Sequence, residues 1–411
     1  MSVRYLIVGG GLAAARAVEG IREVDPDGPI TVVTAEDRLP YERPPLSKGI
    51  LLGSDGPDVV FRHPASWYAE QGVAVRQGIA VTSVDAAART AWLAGGERQE
   101  WERLLLATGA SVRTLAVPGA DLSGIHYLRT LDDSLSLREE FRAGGDVVVV
   151  GAGWIGLEAA AAARSHGARV TMVAPGPAPL HSVLGEQVGC WFTDLHRAHG
   201  VDVRLNTRVA RIEGETAVTG VTTAAGELIP ARIVVAGVGV RPNTALAEAA
   251  GAAVDNGILT DAALRTSLPG VWAAGDVAAW QSTFLGTHLR VEHWANALDG
   301  GFAAGRSMAG VEVSYDPLPF FYSDQYDAGL EYAGHVPTGT EAEVVLRGDP
   351  ASGAFLAFWV VPGDGGVRVL AGMHVNTWDT MDAVQGLIRS RAGIDRGRLG
   401  DPAVPLEELL P

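Results

Sequence analysis

Two stretches of this chain share one pattern of apolar and polar positions. Residues 5–8 (YLIV) are a continuous apolar run that breaks into GGGLAA, and residues 13–22 then take up helical spacing. Residues 147–150 (VVVV) break into GAGWIGLE in the same way. Apolar run, glycine turn and helix predict a buried parallel strand feeding a helix, and the unit occurs twice. Further strands are predicted at 30–34 (ITVVT), 104–110 (LLLATGA), 169–173 and 234–239, with a strand and turn at 271–277 followed by a new helix. From about Leu318 the pattern changes to short alternating strands, GLEYAGH, EAEVVLRG, AFLAFWVV and VRVLAGMHV, then a helix over 380–390. The order βαβ, βαβ, then an antiparallel tail predicts an α/β protein with two Rossmann-like units and a small α+β C-terminal domain.

The glycines explain the turns. In the second unit Gly151 makes the tight turn, Gly153 lets the backbone approach a pyrophosphate, and Gly156 lets the helix pack closely on its strand. The first unit has Gly9 and Gly11, with Ala14 in the third position. Free amides at the two helix starts would face phosphate charge. Two cradles imply two dinucleotides. A carboxylate about 20 residues past the glycines commonly binds ribose hydroxyls; Ala35, Glu36 and Asp37 follow the second strand, and Glu36 is the preferred candidate.

Composition narrows the classes. The 411 residues exceed one ordinary core, and 47% hydrophobic with 19% charged residues is globular. Residues 1–6 carry no basic segment or long apolar run, and no stretch approaches a membrane span, so a cytoplasmic protein is expected. Cys190 is the sole cysteine, which excludes an intramolecular disulfide and a Cys-x-x-Cys relay. A net charge of −16 without a Lys/Arg cluster disfavours nucleic acid and anionic membrane. Lys48 is the only lysine. It ends the loop PYERPPLSK, whose prolines should hold Arg43 and Lys48 in fixed positions. His196 and His199 (HRAH) have a spacing that suits a metal on a helix face, but no cysteine or acidic partner stands at ligand spacing, so no metal is expected.

PYERPPLSK, with YLIVGGGLAA before it and LLLATGA, GWIGLE, GVRPN, AAGDVA and EHWANA after it, resembles the FAD-dependent ferredoxin reductase family that includes putidaredoxin and rubredoxin reductases. The resemblance covers nearly the whole chain. It implies a glutathione reductase-like fold without the redox disulfide, in which an FAD-binding domain comprises 1–116 and 242–317, an NAD(P)H-binding domain 117–241 and a C-terminal interface domain 318–411. It further implies that electrons pass from NADH or NADPH through FAD to an iron–sulfur ferredoxin serving a haem monooxygenase or a dioxygenase, in a monomer or homodimer.

For FAD the resemblance points to Gly9, Gly11, Leu12, Ala13 and Ala14; Ala35 and Glu36; Arg43 and Lys48; and Val81, Ala107, Thr108, Gly109 and Arg129. It adds Gly275 and Asp276, the latter at the flavin's ribityl chain or simply a helix cap, and Glu292, His293 and Trp294, the last covering the isoalloxazine or filling a core. For NAD(P)H it points to Gly151, Gly153, Trp154, Ile155, Gly156, Glu158, Ala174, Gly237 and Gly239. Glu158 sits near the nicotinamide by family likeness; the alternative is a carboxylate in the first helical turn. Lys48 would stand near the flavin N5, paired with Glu158, so Lys48, Glu158 and Trp294 are the expected catalytic contributors. The chain departs from the family at Ala174, where NADH users carry an acid, and no arginine lies between Ala174 and His181, so NADH and NADPH both stay open with a lean to NADH. Tyr322 stands where relatives often have Trp. Two rival readings are a flavoprotein oxidase or apoptosis-inducing-factor-like protein, and a nucleotide-binding scaffold without turnover.

Overall fold

The computed structural model describes residues 2–410. The chain forms two compact units: one of residues 1–45, 56–112 and 240–317, the other of 46–55, 113–239 and 318–411.

In the first unit the strand Ser2–Val8 pairs in parallel with Ile30–Val33 on one side and Arg98–Leu106 on the other. Val73–Arg76 and Val271–Ala273 extend this parallel sheet, and the hairpin Val81–Asp85/Thr90–Leu93 adds antiparallel strands beside Arg98–Leu106. Alternation along the strands serves two cores: Tyr5, Ile7, Val32 and Leu105 face one, and Leu6, Val8, Leu104 and Leu106 the other. That is why these runs are apolar at every position. Register brings Val8 level with Val33 and Leu106, and Leu106 level with Ala273. Gly9, Thr34, Ala107 and Ala274 therefore follow at one edge, the carboxyl edge where open α/β sheets bind ligands.

Small residues set the helix packing. A Cβ on Gly305 of the helix Trp294–Ala309 would lie 2.2 Å from Ala17 O, and one on Gly301 2.4 Å from Ala13 O. The helix Leu12–Val24, with Ala13, Ala14 and Ala17 buried, is approached to backbone contact.

In the second unit five parallel strands run in the order Asp202–Arg204, Arg169–Val173, Asp146–Val150, Ile233–Ala236 and Ile125–His126. Val150 pairs with both Val173 and Ala236, so Gly151, Ala174 and Gly237 share one edge. A three-stranded antiparallel sheet, Val209–Gly214, Val218–Thr223 and Leu228–Pro230, accompanies it. The C-terminal segment is a five-stranded antiparallel sheet ordered Phe320–Gln325, Ala328–Gly334, Gly366–Val375, Ala354–Gly363, Glu343–Asp349, with the helix Met381–Ser390 beside it.

Two elements differ from the sequence expectation. Asp276 introduces no helix: Gly275–Val277 is one 3-10 turn and Ala278–Ser282 is a strand paired with Ile258–Thr260. Phe320–Gln325, which falls where short strands are expected but has no strand of its own among the four named, is an edge strand. No helix among the described residues is long and apolar enough to cross a membrane.

Candidate functional site

Both glycine turns have the geometry of a phosphate cradle. Gly9 has φ +142° and an added Cβ would lie 2.1 Å from Ala107 O; Gly151 has φ +106° and its Cβ would lie 2.3 Å from Gly237 O. Each is thus confined to glycine by conformation and by a backbone neighbour. The middle glycines differ: a Cβ on Gly11 or Gly153 would meet nothing within 4 Å. That open space lies at the helix start. Gly11 and Gly153 are the extended N-caps of Leu12–Val24 and Trp154–Ser165; neither helix has a capping side chain or an acid in its first turn. The first amides of a helix have no intrahelical partner, so these ends suit an anion such as a pyrophosphate. Gly156 is held by packing, its Cβ falling 2.2 Å from Gly151 O. Ala14, the departure from the motif, is fully buried without displacing its helix. The residues present therefore fit two dinucleotides, FAD and NAD(P)H.

Around the first cradle, Glu36 accepts from the Tyr41 hydroxyl and from Arg43 Nη2, the latter at 3.1 Å. The Arg43 guanidinium carbon also lies 5.2 Å from the Tyr41 ring centroid. Ala35 is exposed beside Glu36. Ala107 packs under Gly9, while Thr108 is tied to the returning chain: its Oγ1 donates to Asn243 O, and Asn243 Nδ2 donates to Thr108 O, both at 2.8 Å. Gly109 has φ +64° and its carbonyl accepts from Asn243 N–H. Gly275, at φ +76°, comes against Ala13, its Cβ position 3.0 Å from the alanine methyl. Arg290 Nη1 donates to the Asp276 carbonyl at 3.2 Å and to Glu292 Oε1 at 2.7 Å. Burial pushes the His293 imidazole down to about 4, leaving it neutral at pH 7. Trp294 opens its helix, and its Nε1–H donates to Glu42 Oε2 at 2.7 Å. Glu42 was not singled out from sequence; its place one residue before Arg43 was the available signal. Val81 starts a strand and packs on the apolar cluster around Leu93.

Lys48 and Arg129 belong to the unit of the second cradle. The Arg129 amide donates to Asp133 Oδ2, beside the capping box that starts the helix Leu131–Ala143. Lys48 Nζ lies 2.5 Å from Glu158 Oε1 and 3.7 Å from Asp324 Oδ2, and 5.3 Å from the Tyr322 ring centroid. Glu158 is only 6% exposed and accepts two further hydrogen bonds, from Ser47 Oγ at 2.5 Å and Ser323 Oγ at 2.6 Å. A carboxylate so deeply buried requires such partners. Glu158 lies beyond the first turn of its helix, so the simple helix-dipole alternative is removed. Ser47 and Ser323 escaped the sequence reading because serine carries no signal until the fold places it. Polar residues alternating with aromatics in FFYSDQY were the available hint.

The remaining second-cradle residues have definite places. The Trp154 ring packs on Phe192 and Phe321, with centroids 5.8 and 4.8 Å away, while Ile155 is exposed beside it. Gly237 follows the strand Ile233–Ala236, and Gly239 has φ +93°. Ala174 is buried, its amide donating to Arg204 O. Arg204, paired in register with Val173, is bound by Asp202 and Glu227. His196 contacts Gln325 and Tyr326, and His199 stacks on Tyr326 at 3.7 Å. No group of metal-binding side chains occurs among the described residues.

The family model for pyridine nucleotide-disulphide oxidoreductases matches residues 3–301, and a reductase C-terminal model matches 320–410. The chain is 39% identical over 406 residues to the ferredoxin–NAD(+) reductase component of the anthranilate 1,2-dioxygenase system of Burkholderia cepacia, covering 99% of each. It is 34% identical to the putidaredoxin reductase of Pseudomonas putida, covering 98% of this chain and 96% of that one. The solved ferredoxin reductase for the CYP199A2 system of Rhodopseudomonas palustris superposes with a TM-score of 0.92 at 34% identity, covering 98% of this chain and 99% of that one. A covalent putidaredoxin reductase–putidaredoxin complex gives 0.93 at 34% identity, covering 99% of this chain and 98% of that one. With these matches spanning both glycine cradles and the C-terminal sheet, the chain belongs to the pyridine nucleotide-disulphide oxidoreductase family.

Proposed function

We propose that this enzyme is an NAD(P)H:ferredoxin oxidoreductase that passes electrons through FAD to a small iron–sulfur ferredoxin serving an oxygenase. The observation that carries the reading is the pair of uncapped glycine cradles in a chain 39% identical over 406 residues to the reductase component of a dioxygenase system. FAD, when bound, supplies the link between a two-electron donor and one-electron acceptors. The protein supplies binding, orientation and charge.

In this reading Gly11 and Gly153 admit the two pyrophosphates to helix amides, and Glu36, fixed by Tyr41 and Arg43, takes a ribose. Trp294, oriented by Glu42, covers the isoalloxazine. Lys48, held by Glu158, lends positive charge to reduced flavin. NADH is the preferred donor: Ala174 favours neither coenzyme, and Arg204 is already paired with two carboxylates and so poorly placed to bind a 2′-phosphate. The site of action is the cytoplasm.

The test is an anaerobic titration of the purified yellow protein with NADH and with NADPH, followed by [2Fe-2S] and [3Fe-4S] ferredoxins. Bleaching by NADH and fast reoxidation by one ferredoxin are expected. Protein that is colourless or is not bleached would refute the reading, as would oxygen reoxidising the flavin as fast as any ferredoxin.

A further inference from the structure

Inward-facing positions of a strand are ordinarily apolar, and Phe320–Gln325 breaks that rule twice. Alternation turns Phe321, Ser323 and Gln325 to the buried side. Behind them, the helix His181–Ala198 contributes His196, which is 0% exposed. These side chains form one connected series ending on the carboxylate that holds Lys48. Tyr326 OH lies 3.3 Å from His196 Nδ1, and His196 Nε2 lies 3.0 Å from Gln325 Oε1. Gln325 Nε2 then donates to Ser323 Oγ at 3.2 Å, and Ser323 Oγ donates to Glu158 Oε1 at 2.6 Å.

The direction of every bond follows from what each group can do. An ionised carboxylate only accepts, so the Ser323 hydroxyl proton faces Glu158 and its oxygen is left to accept from the Gln325 amide nitrogen. The amide oxygen then faces His196, which requires the proton on Nε2 and a bare Nδ1 to accept from Tyr326. Burial pushes the imidazole down to about 4, so the neutral ring this arrangement needs is the form present at pH 7. All donors thus point toward Glu158. In a buried, low-dielectric setting aligned hydrogen bonds reinforce one another. An amide in the middle makes the series a support for charge and orientation, with no path for a proton through it.

We propose that Gln325 and His196 are positioning residues for the Lys48–Glu158 pair, acting through Ser323 to hold the carboxylate in one orientation against the ammonium. The inference deepens the proposed function and rests on it only for its kinetic consequence. Because Lys48 is the sole lysine, FAD-loaded protein grown on side-chain 15N-labelled lysine gives one side-chain ammonium NMR signal, erased by Lys48→Met.

Gln325→Met keeps the volume and removes both hydrogen bonds. It is expected to displace or broaden that signal as Ser323→Ala does, while Ser323→Thr leaves it in place. Flavin bleaching by NADH should slow about threefold to tenfold in Gln325→Met with little change in KM. Tyr326→Phe, the mildest change, should move the signal less and in the same direction, and decides the matter if Gln325→Met loses its flavin. A signal that stays at its wild-type position in Gln325→Met, or in Tyr326→Phe where that variant decides, while Ser323→Ala moves it, would overturn the proposal. Failure of the proposed function is read separately, as wild-type protein that NADH does not bleach, because the NMR signal requires no turnover.

Discussion

Gly151 and Gly153 are two residues apart and identical in chemistry, yet the structure assigns them opposite sensitivities. Replacing Gly151 by alanine puts a methyl 2.3 Å from Gly237 O on a backbone with φ +106°. The conformational strain is about 1–3 kcal/mol, and relieving the overlap adds about 1–3 kcal/mol. For a chain of 411 residues a melting temperature lower by roughly 2–7 °C follows. Gly153 has φ −84° and ψ −179°, a region open to alanine, and its added methyl meets nothing within 4 Å. Gly153→Ala should therefore melt within about 0.5 kcal/mol of wild type, as substitutions away from special features do.

Nucleotide binding reverses the order of interest. In the proposed function, the Gly153→Ala methyl would occupy the space through which a pyrophosphate reaches the helix amides. Losing a hydrogen bond to a charged group costs about 1.5–3 kcal/mol, which is roughly ten- to hundredfold in Kd. The assays are differential scanning fluorimetry and anaerobic NADH titration of the flavin absorbance, with FAD content measured in each variant. The reasoning is refuted if Gly153→Ala melts as low as Gly151→Ala, or if it binds NADH with wild-type affinity. Intact FAD content in Gly153→Ala is also expected, since the proposed function puts FAD at the other cradle.

Lys48→Met should keep fold and colour and slow flavin reduction by NADH about tenfold or more, as removal of a charge acting near the reaction does; stopped-flow bleaching at the wild-type rate would remove Lys48 from the mechanism. His196 is neutral in the fold because its value is pushed down to about 4, against 6.5 when free. The unfolded chain thus gains a proton first as pH falls, so this residue's contribution to stability is full above about 6.5 and declines toward 4, by about 3 kcal/mol in total. Urea melts of His196→Asn should show a shallower loss between those values, and an identical slope would contradict the assignment. Gly305→Ala should destabilise by about 1–3 kcal/mol through contact with Ala17 O. Gly300→Ala, whose nearest neighbour is the Tyr315 hydroxyl at 3.2 Å, should cost less by the same melts.

The parts of this protein legible in its sequence are those where one backbone requirement dictates a residue type. Gly9, Gly151 and Gly156 have carbonyls where a side chain would begin, so only glycine serves and the motif is visible. The four valines before Gly151 are buried on both faces of a parallel sheet, which leaves a continuous apolar run. The partners of Glu158 were hidden because Ser47 and Ser323 stand 111 and 165 residues away from it, and a serine hydroxyl is equally at home in water. The strand after Asp276 is not legible in the sequence because AAW has no strong period and the pairing with Ile258–Thr260 is long-range. Glu36 is expected as a ribose ligand from its position alone, while its bonds to Tyr41 and Arg43 depend on the loop's course.

The chain passes from one unit to the other after Pro45, Asp55, Val112, Gly239 and Pro317. Neither unit is a continuous piece of sequence, so no single truncation yields either. A fragment ending at Gly239 would hold the second cradle without the C-terminal sheet that belongs to its unit, and the first cradle without Val271–Ala273 and the helix packed on Leu12–Val24. Contacts that join residues 13 and 301 or 158 and 323 must wait for most of the polypeptide to be made. Folding of such a chain is dominated by distant pairings and is correspondingly slow. A ribosome stalled between Arg113 and Asp316 would thus hold two unfinished cores rather than one finished domain.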